Sequence, residues 1–248
     1  MRAGTPATRP RSGGALPCIA VTGESRSGKS SLINALLGAR VLPTGVGDGV
    51  CPTVLISYAA KRSLTVEHNN HRRVAVDWAS AARMPLHSIR RLRLGLPNDL
   101  LKSTRLVETP GFATGCEDVD QRALGACRRV DAGIWCTPAM QAWKASERDA
   151  WVSLSKRMRA RSILAITYMD AIPSQGDRER LRARILAEAA AYFGKVVMIA
   201  NKHAARAREL AVPGTNEALW HASGGAELWA AVRGLIAASS QSAGADRL

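Results

Sequence analysis

Acidic residues are scarce in this sequence. The 248 residues include 20 Asp and Glu against 35 Lys and Arg, which gives a formal net charge of +15. Such a charge favours an anionic partner, and we expect weak, salt-sensitive binding to an anionic membrane or to RNA. A solvated, arginine-rich helix surface produces the same composition, however. The charge therefore bears on association and says little about the fold.

Long apolar runs are also missing. No stretch approaches the roughly 18 consecutive apolar residues of a transmembrane helix, so no membrane span is expected. The N-terminal segment MRAGTPATRPRSGG is basic and has no apolar segment of its own, which argues against a signal peptide. These absences predict a cytoplasmic protein, or one held peripherally at the inner face of a membrane.

Closely spaced cysteine pairs do not occur. The five cysteines are scattered and no C-x-x-C pair is present, so a metal cluster or a disulfide framework has little support. Reduced thiols in a reducing compartment fit this pattern better. Aromatic residues make up only 4% of the chain and do not alternate with basic ones. The tryptophans are therefore expected in the core or in an interface, not as stacking platforms for nucleic acid.

The most informative string that is present is GESRSGKSS, from Gly23 to Ser31. It fits G-x-x-x-x-G-K-[ST], in which glycines let successive backbone N–H groups turn toward phosphate oxygens. Lys29 is expected to reach the β- and γ-phosphates, and the Ser30 hydroxyl to bind Mg²⁺. A buried strand precedes the string and an amphipathic helix follows it, as an anion site at a helix N-terminus requires. We assign nucleotide binding to Gly23, Glu24, Ser25, Arg26, Ser27, Gly28, Lys29, Ser30 and Ser31.

Three further strings occur in the order expected of a GTPase. VETPGF places Glu108 where an acid can hold a water on Mg²⁺, and Gly111 where its amide can sense a γ-phosphate. ITYMD places Asp170 just after a strand, where a carboxylate can pair with the N1 and N2 donors of guanine. MIANK ends the next predicted strand, where backbone groups can touch guanine O6. The expected ligand is GTP or GDP. Further predicted contacts are Thr167, Asn201 and Lys202.

Strand and helix signals alternate after the P-loop, which predicts an α/β domain with a mostly parallel sheet and helices on both faces. We expect a flexible basic tail over 1–16, one domain over 17–240, a short tail over 241–248 and a mobile loop at 38–52. Beyond the P-loop unit, strands are predicted at 53–59 and 63–67, as a pair, and at 73–78, 88–96, 105–108, 132–137, 162–168 and 195–200. Helices are predicted at 79–86, 119–129, 144–154, 177–191 and 226–237, with Leu181, Ile185 and Leu186 on the buried face of the fourth.

Taken together, these strings resemble the G domain of dynamin-superfamily GTPases, especially that of bacterial dynamin-like proteins. The similarity runs through GESRSGKSSLINALLG, LPTG, PTVLISY, LGLPNDLLKSTRLVETPGF and TYMD. The stretch from Thr53 to Glu108 is far longer than the tight hairpin that joins the corresponding strands in Ras-like and Era-like GTPases. The resemblance implies a P-loop NTPase fold (TRAFAC GTPase-like) with extra strands inserted between switch I and switch II. It also implies Mg²⁺-dependent GTP hydrolysis.

The sequence departs from the pattern of this family at several positions. The family usually has Asp where Glu108 stands, and Lys where Tyr168 stands. A glutamate is one methylene longer, and a tyrosine ring can cover the base by stacking. Thr53 is the candidate for the switch threonine that binds Mg²⁺ and supports catalysis, and Thr44 is its rival.

Arg26 occupies the fourth place of the P-loop, where most dynamin-like loops have Ser. Guanylate-binding proteins and atlastins carry Arg there, and it acts as an arginine finger in cis. This resemblance implies that Arg26 joins Lys29 in neutralising the charge that develops during phosphoryl transfer. Phe112 follows the switch glycine, so the water-positioning Gln of Ras is missing. The alternative is a solvent-facing arginine in an arginine-rich protein.

Bacterial dynamins also carry a long helical stalk and a membrane-binding tip, and this sequence ends where the G domain ends. We therefore expect a stand-alone G domain that acts as a switch, as a homodimer across the nucleotide, or with a stalk-bearing partner protein. Two alternatives stay open, a non-catalytic nucleotide-dependent scaffold and a ribosome- or RNA-associated GTPase. A turnover assay distinguishes the scaffold from a GTPase, and RNA affinity that falls steeply with salt would indicate the RNA-associated GTPase. An ATP-using P-loop kinase would leave Asp170 and the ETPG string unexplained.

Overall fold

Strands and helices alternate along the chain in the computed structural model, which describes residues 16–45, 52–112, 117–128, 130–209 and 215–245. The predicted N-terminal tail, except residue 16, and the 46–51 part of the predicted loop lie outside the described residues. The strands are β1 (Cys18–Gly23), β2 (Val54–Tyr58), β3 (Ser63–His68), β4 (Arg73–Ala75), β5 (Ile89–Leu96), β6 (Arg105–Glu108), β7 (Ala132–Pro138), β8 (Ser162–Thr167) and β9 (Lys195–Met198). The α-helices are α1 (Lys29–Leu37), α2 (Trp78–Arg83), α3 (Glu117–Cys127), α4 (Ala145–Ser153), α5 (Lys156–Ala160), α6 (Gln175–Ala189), α7 (Asn201–Glu209), α8 (Thr215–Ala222) and α9 (Gly225–Ala245).

Within the described residues, all the strands belong to one sheet in the order β4-β3-β5-β2-β6-β1-β7-β8-β9. Strands β6, β1, β7, β8 and β9 run parallel, while β2 pairs antiparallel with β6. The predicted α/β fold with a mostly parallel sheet is therefore confirmed. The predicted insertion is also present, because β3, β4 and β5 lie between β2 and β6 in the chain and extend the sheet beyond β2.

Two hydrophobic cores cover the two faces of the sheet. Alternate residues of β1 point to opposite faces, since Ile19 and Val21 join one cluster while Cys18 and Ala20 join the other. The first cluster packs α1, α7 and α9 against the sheet, and the second packs α3, α4, α5 and α6. Burial raises the pKa of Cys18 to about 11 and those of Cys127 and Cys136 to about 12, so these thiols stay protonated.

The strand pairing and boundaries of the inserted region differ from the prediction. The two strands expected to pair with each other do not, because β2 pairs with β5 and β6, whereas β3 pairs with β4 and β5. The strand predicted through Trp78 ends at Ala75. Trp78 instead begins α2, since the Asp77 side chain caps this helix by accepting a hydrogen bond from Ser80 N at 2.6 Å.

Several helices also differ from the prediction. Leu186 was expected on the buried face of α6, but it is 41% exposed, because Ile185 and Ala189 form the buried stripe of that helix. Helices α5, α7 and α8 were not predicted. The last helix continues to Ala245, so residues 241–245 of the predicted C-terminal tail are helical.

Candidate functional site

The candidate site lies at the carboxyl ends of the parallel strands. The P-loop follows β1, Glu108 ends β6, Thr167 ends β8, and Asn201 begins the helix after β9. Because parallel strands end at the same edge of a sheet, segments far apart in sequence meet there. Glu108, Thr167 and Asn201 each contact the P-loop or the first turn of α1.

Two glycines of the P-loop have backbone conformations that exclude other residues. Gly23 has φ 140°, and a Cβ there would collide with the carbonyl of Cys136. Gly28 has φ 87° just before α1, and a Cβ there would lie 3.0 Å from Asn201 Nδ2. The absent side chains leave the loop and the α1 N-terminus open to a close backbone approach by an anion.

The Lys29 side chain folds back over the loop. Its Nζ donates to the carbonyl of Glu24 at 2.6 Å and to that of Gly23 at 3.4 Å, and the residue is 8% exposed. The loop thus holds one buried ammonium group at the start of a helix. This arrangement suits a phosphate, because the charge and the helix dipole both favour an anion.

Ser30 and Glu108 form the direct link between the P-loop and β6. Ser30 Oγ donates to Glu108 Oε1 at 2.5 Å, and Glu108 is only 6% exposed. Burial raises the pKa of Glu108, although the Ser30 hydrogen bond and the Lys29 charge act in the opposite direction. A hydroxyl beside a carboxylate offers the hard oxygen ligands that Mg²⁺ prefers, so these two residues fit the predicted metal.

The segment after Glu108 runs alongside the P-loop. Phe112 N donates to Gly23 O at 3.1 Å, and Ser25 N donates to Phe112 O at 3.2 Å. A Cβ at Gly111 would lie 2.6 Å from Ser25 Cα, so only glycine allows this approach. The predicted switch glycine therefore lies directly against the loop.

Thr167 and Tyr168 hold the opposite side of the loop. Thr167 Oγ1 donates to Ser27 O at 2.8 Å, and Tyr168 Oη donates to Arg26 O at 3.1 Å. Burial raises the pKa of Tyr168, so its hydroxyl stays protonated as a donor. Both Tyr168 and Arg26 have left-handed backbone conformations, with φ 58° and φ 59°. The unusual tyrosine thus contacts the loop backbone. It anchors the carbonyl of Arg26, which is an exposed residue.

Asn201 approaches the loop from the α7 side. Its Nδ2 donates to Gly28 O at 3.2 Å, while its Oδ1 is buried and has no hydrogen-bond partner among the described residues. Ser27 Oγ is in the same condition. Buried polar atoms are normally paired, so two unpaired ones beside the P-loop fit a site completed by a polar ligand.

Two adjoining cavities contain further predicted residues. A cavity of 620 Å³ between α1 and α7 is lined by Ser31, Asn201 and Lys202, and also by the rival threonine Thr44. Asp170 is half-buried and lines a second cavity, of 280 Å³. His203 lines both cavities, so this one side chain separates the cavity of Asp170 from the cavity between α1 and α7.

Thr53 occupies a different place. It lines a cavity on the α3 face of the sheet together with Leu55 and Val107. Glu108 lies on the α1 side of the same sheet, where it meets Ser30. The role of Thr53 as a metal ligand stays a prediction.

Glu147 was not predicted as a site residue, and it is completely buried behind the P-loop. Its carboxylate accepts hydrogen bonds from Trp135 Nε1 at 3.1 Å, Thr137 Oγ1 at 2.9 Å and Lys144 N at 3.0 Å. Burial raises its pKa, although these three hydrogen bonds act in the opposite direction. The available signal was its place three residues after Lys144, where a glutamate caps the N-terminus of a helix.

Glu24 connects this network to the P-loop. Its carboxylate accepts from Lys144 Nζ at 2.5 Å and from Ser146 Oγ at 2.7 Å, both at the start of α4. The Glu24 side chain therefore faces α4, and its backbone carbonyl faces Lys29. Glu24 was predicted to contact the nucleotide, but only its backbone borders the interior of the loop.

Comparison with known proteins identifies a family. The profile of the family described as "Dynamin family" matches residues 19–170, which is more than half of the chain. Dynamin-like protein 2 of Campylobacter jejuni subsp. jejuni serotype O:23/36 (strain 81-176) is 28% identical over 162 residues. That alignment covers 63% of this chain and 26% of the relative, so the chain spans about a quarter of that protein's length.

Solved structures show the same fold. A structure of an oligomerised bacterial dynamin pair, described as a mechanism for the long range sensing and tethering of membranes, matches with a TM-score of 0.59 and 21% identity. The match covers 74% of this chain and 30% of that one. A bacterial selenocysteine-specific elongation factor matches with a TM-score of 0.50 and 12% identity, over 90% of this chain and 29% of that one. Across the described residues, no helix has the length and apolarity that a membrane crossing needs.

Proposed function

This chain belongs to the dynamin family, and we propose that it binds GTP at the P-loop and hydrolyses it with Mg²⁺. The G domains of this family are GTP hydrolases. The observation that carries the proposal is the convergence of Glu108, Gly111, Thr167 and Asn201 on one glycine-rich loop. Each of these residues was predicted from sequence as a metal or nucleotide contact.

The proposed roles follow from the chemistry of each group. Lys29 and the amides at the α1 N-terminus hold the phosphates. Ser30 and Glu108 would hold Mg²⁺, which supplies charge neutralisation at the β- and γ-phosphate oxygens. Gly111 lies against the loop and offers its amide to the terminal phosphate.

The base is assigned to the region around α7. Asp170 is proposed to accept from the N1 and N2 donors of guanine, and Asn201 and Lys202 to border the base. Asn201 Oδ1 supports this assignment because it is buried and lacks a partner in the described residues. A ligand donor at this position would satisfy it.

Arg26 is proposed as the catalytic cation. It is exposed within the P-loop, and Tyr168 Oη donates a hydrogen bond to its backbone carbonyl at 3.1 Å. A guanidinium placed there neutralises negative charge that grows in the transition state. Thr53 stays the candidate switch ligand, and its place on the α3 face means that it must move to meet the metal.

We also propose that the domain acts as a homodimer across the nucleotide or with a stalk-bearing partner, at the inner face of a membrane. The support is indirect. The related structure is an oligomerised pair, and the match covers less than a third of the matched chain in it. A non-catalytic scaffold is the alternative that the position of Thr53 favours.

Calorimetry with GTP and ATP tests the proposal. Two hydrogen bonds from Asp170 to a buried base edge predict a preference for GTP of about 2 kcal/mol or more, because ATP leaves the carboxylate unpaired. Lys29→Ala should abolish binding without unfolding the domain, and Lys156→Ala, an exposed lysine on α5, is the control. Equal affinities for GTP and ATP would refute the guanine assignment. Binding of GTP without turnover would support the scaffold.

A further inference from the structure

The cavity of 620 Å³ on the α3 face, which Thr53 and Pro110 also line, contains an unusual set of cations. We propose that it is a binding site for a compact, multiply charged phosphate ligand. Five arginines from β5, β6 and α3 or the turn after it line this arginine pocket, namely Arg90, Arg91, Arg105, Arg122 and Arg128. Among the lining residues that the structure describes, none is Asp or Glu.

Two carboxylates near the pocket do not balance this charge. Asp131 accepts a hydrogen bond from Cys18 N at 2.9 Å and already pairs with Arg157. Glu67 on β3 is 1% exposed and forms ion pairs with Arg91 at 3.1 Å and Arg90 at 3.4 Å. It also pairs with Arg73 and Arg93. Four guanidinium groups thus share one carboxylate, and the excess positive charge extends into the pocket. Burial would raise the pKa of Glu67, but the hydrogen bond from Arg93 and the charge of Arg91 outweigh it and lower that pKa, so the carboxylate is already ionised.

Arg105 provides the second observation. Its Nε is buried and has no hydrogen-bond partner among the described residues, while its Nη2 donates to Leu16 O at 3.0 Å. An unpaired guanidinium N–H is costly to bury unless a ligand acceptor completes it. Arg105 lies at the start of β6, so its position is set by the sheet and not by a loop.

The arrangement favours phosphate over a peptide carboxylate. The arginines come from separate elements and surround one cavity, so their charges converge instead of following a line. A single carboxylate carries one negative charge, whereas a pyrophosphate group carries about three. Guanidinium groups bind phosphate oxygens in a bidentate manner, and the cavity volume is that of a small-ligand site. Leu55, Val107 and Val130 also line the pocket.

The position of the pocket suggests a consequence of binding. Arg122 lies on α3, the helix that follows the Glu108–Phe112 segment, while Arg105 lies on β6. An anion bound by both residues ties α3 to the sheet. The ligand source is either a free phosphate compound or a phosphorylated lipid headgroup, since both present the same chemistry.

Calorimetric titration with inorganic pyrophosphate, in the presence of saturating GDP, tests the free ligand. Flotation with vesicles that contain a phosphorylated inositol lipid tests the headgroup. Arg105→Ala with Arg128→Ala should weaken binding at least tenfold. The matched double variant Arg148→Ala with Arg233→Ala removes the same charge from exposed positions on α4 and α9, and should change binding less than twofold. Melting temperatures check that all variants fold.

Lysine variants and the P-loop variant separate the possible explanations. Arg105→Lys with Arg128→Lys keeps the charge, and a loss of affinity in this variant supports bidentate recognition. Pyrophosphate binding that survives Lys29→Ala but not the Arg105 and Arg128 changes assigns it to the arginine pocket, whatever the nucleotide specificity of the P-loop. Binding of neither probe, or equal losses in the two double alanine variants, would overturn the proposal.

Discussion

The network around Glu147 allows a quantitative prediction of stability. In Glu147→Ala, the donors of Trp135, Thr137 and Lys144 lose their common acceptor. A buried donor without a partner costs about 1–3 kcal/mol, so three donors set an upper range of about 3–9 kcal/mol. Water entering the space left by the side chain, and relief from burying a carboxylate, offset part of this. We expect a net loss of about 3 kcal/mol in the free energy of unfolding.

Thermal unfolding measures this loss. For a chain of 248 residues, a loss of about 3 kcal/mol corresponds to a fall of roughly 6–12 °C in melting temperature. Glu147→Gln keeps the shape and one acceptor oxygen, so it should lose only about 1–2 kcal/mol. Asp149→Ala is the control on the same helix, and because Asp149 is exposed it should change stability by less than about 0.5 kcal/mol.

The pH dependence supplies an independent check. Burial raises the pKa of Glu147 above its ordinary value of 4.5, so the folded state binds this proton more tightly than the unfolded state. The resulting stabilisation is fully present below pH 4.5 and is lost as the pH rises through the folded pKa. The wild type should therefore gain stability relative to Glu147→Gln on acidification from neutral pH. Identical melting temperatures at neutral pH and parallel pH profiles for these two proteins would refute the reasoning.

Three further predictions concern the P-loop. Arg26→Ala should lower kcat at least about tenfold with little change in GTP affinity, and Arg26→Lys should not restore kcat. Single-turnover hydrolysis and a binding titration, both at several protein concentrations, measure these effects. An unchanged rate would remove Arg26 from the mechanism. Tyr168→Phe removes the hydrogen bond to Arg26 O and should speed nucleotide release about threefold to tenfold, as measured by stopped-flow with a fluorescent GDP. Tyr58 is an exposed tyrosine, and Tyr58→Phe should leave the release rate unchanged. Because its pKa is raised, Glu108 should protonate at a higher pH than an ordinary glutamate, so Mg²⁺ affinity should weaken on acidification from above pH 4.5. Glu108→Gln should bind Mg²⁺ weakly at every pH. A pH profile of Mg²⁺ affinity in this variant like that of the wild type would contradict the prediction.

The parts of the site that lie on the backbone could be predicted from sequence. A glycine-rich string between a strand and a helix has one arrangement that suits an anion, and parallel strands bring their carboxyl ends together. The prediction therefore placed Glu108 and Thr167 beside the P-loop before any contact was known. It did not anticipate that Glu24 turns toward α4, because side-chain direction depends on partners from distant segments.

The errors have identifiable causes. Adjacent strands often form hairpins, which favoured a β2–β3 pair, but β5 returns between them and pairs with both. Helix α7 was missed because its buried residues are Asn201, Ala204 and Ala207, so no large apolar side chain marks its buried face. Glu147 was missed because a glutamate in a helical pattern is ordinarily solvent-exposed, and only the tertiary structure shows Trp135 and Thr137 pointing to it.

Glu108 and Tyr168, two of the departures from the family pattern, preserve contact with the P-loop by different chemistry. Glu108 reaches Ser30 directly at 2.5 Å, so its additional methylene is accommodated without losing the link between β6 and the loop. Tyr168 replaces a flexible cation with a neutral donor, and its hydroxyl meets the backbone of the residue proposed to act in catalysis. A lysine at 168 would add positive charge beside Arg26, whereas the tyrosine fixes the loop and leaves Arg26 as the exposed cation there. The substitutions at 168 and 26 are therefore expected to depend on each other, so that Tyr168→Lys costs more activity when Arg26 is present than in the Arg26→Ala background.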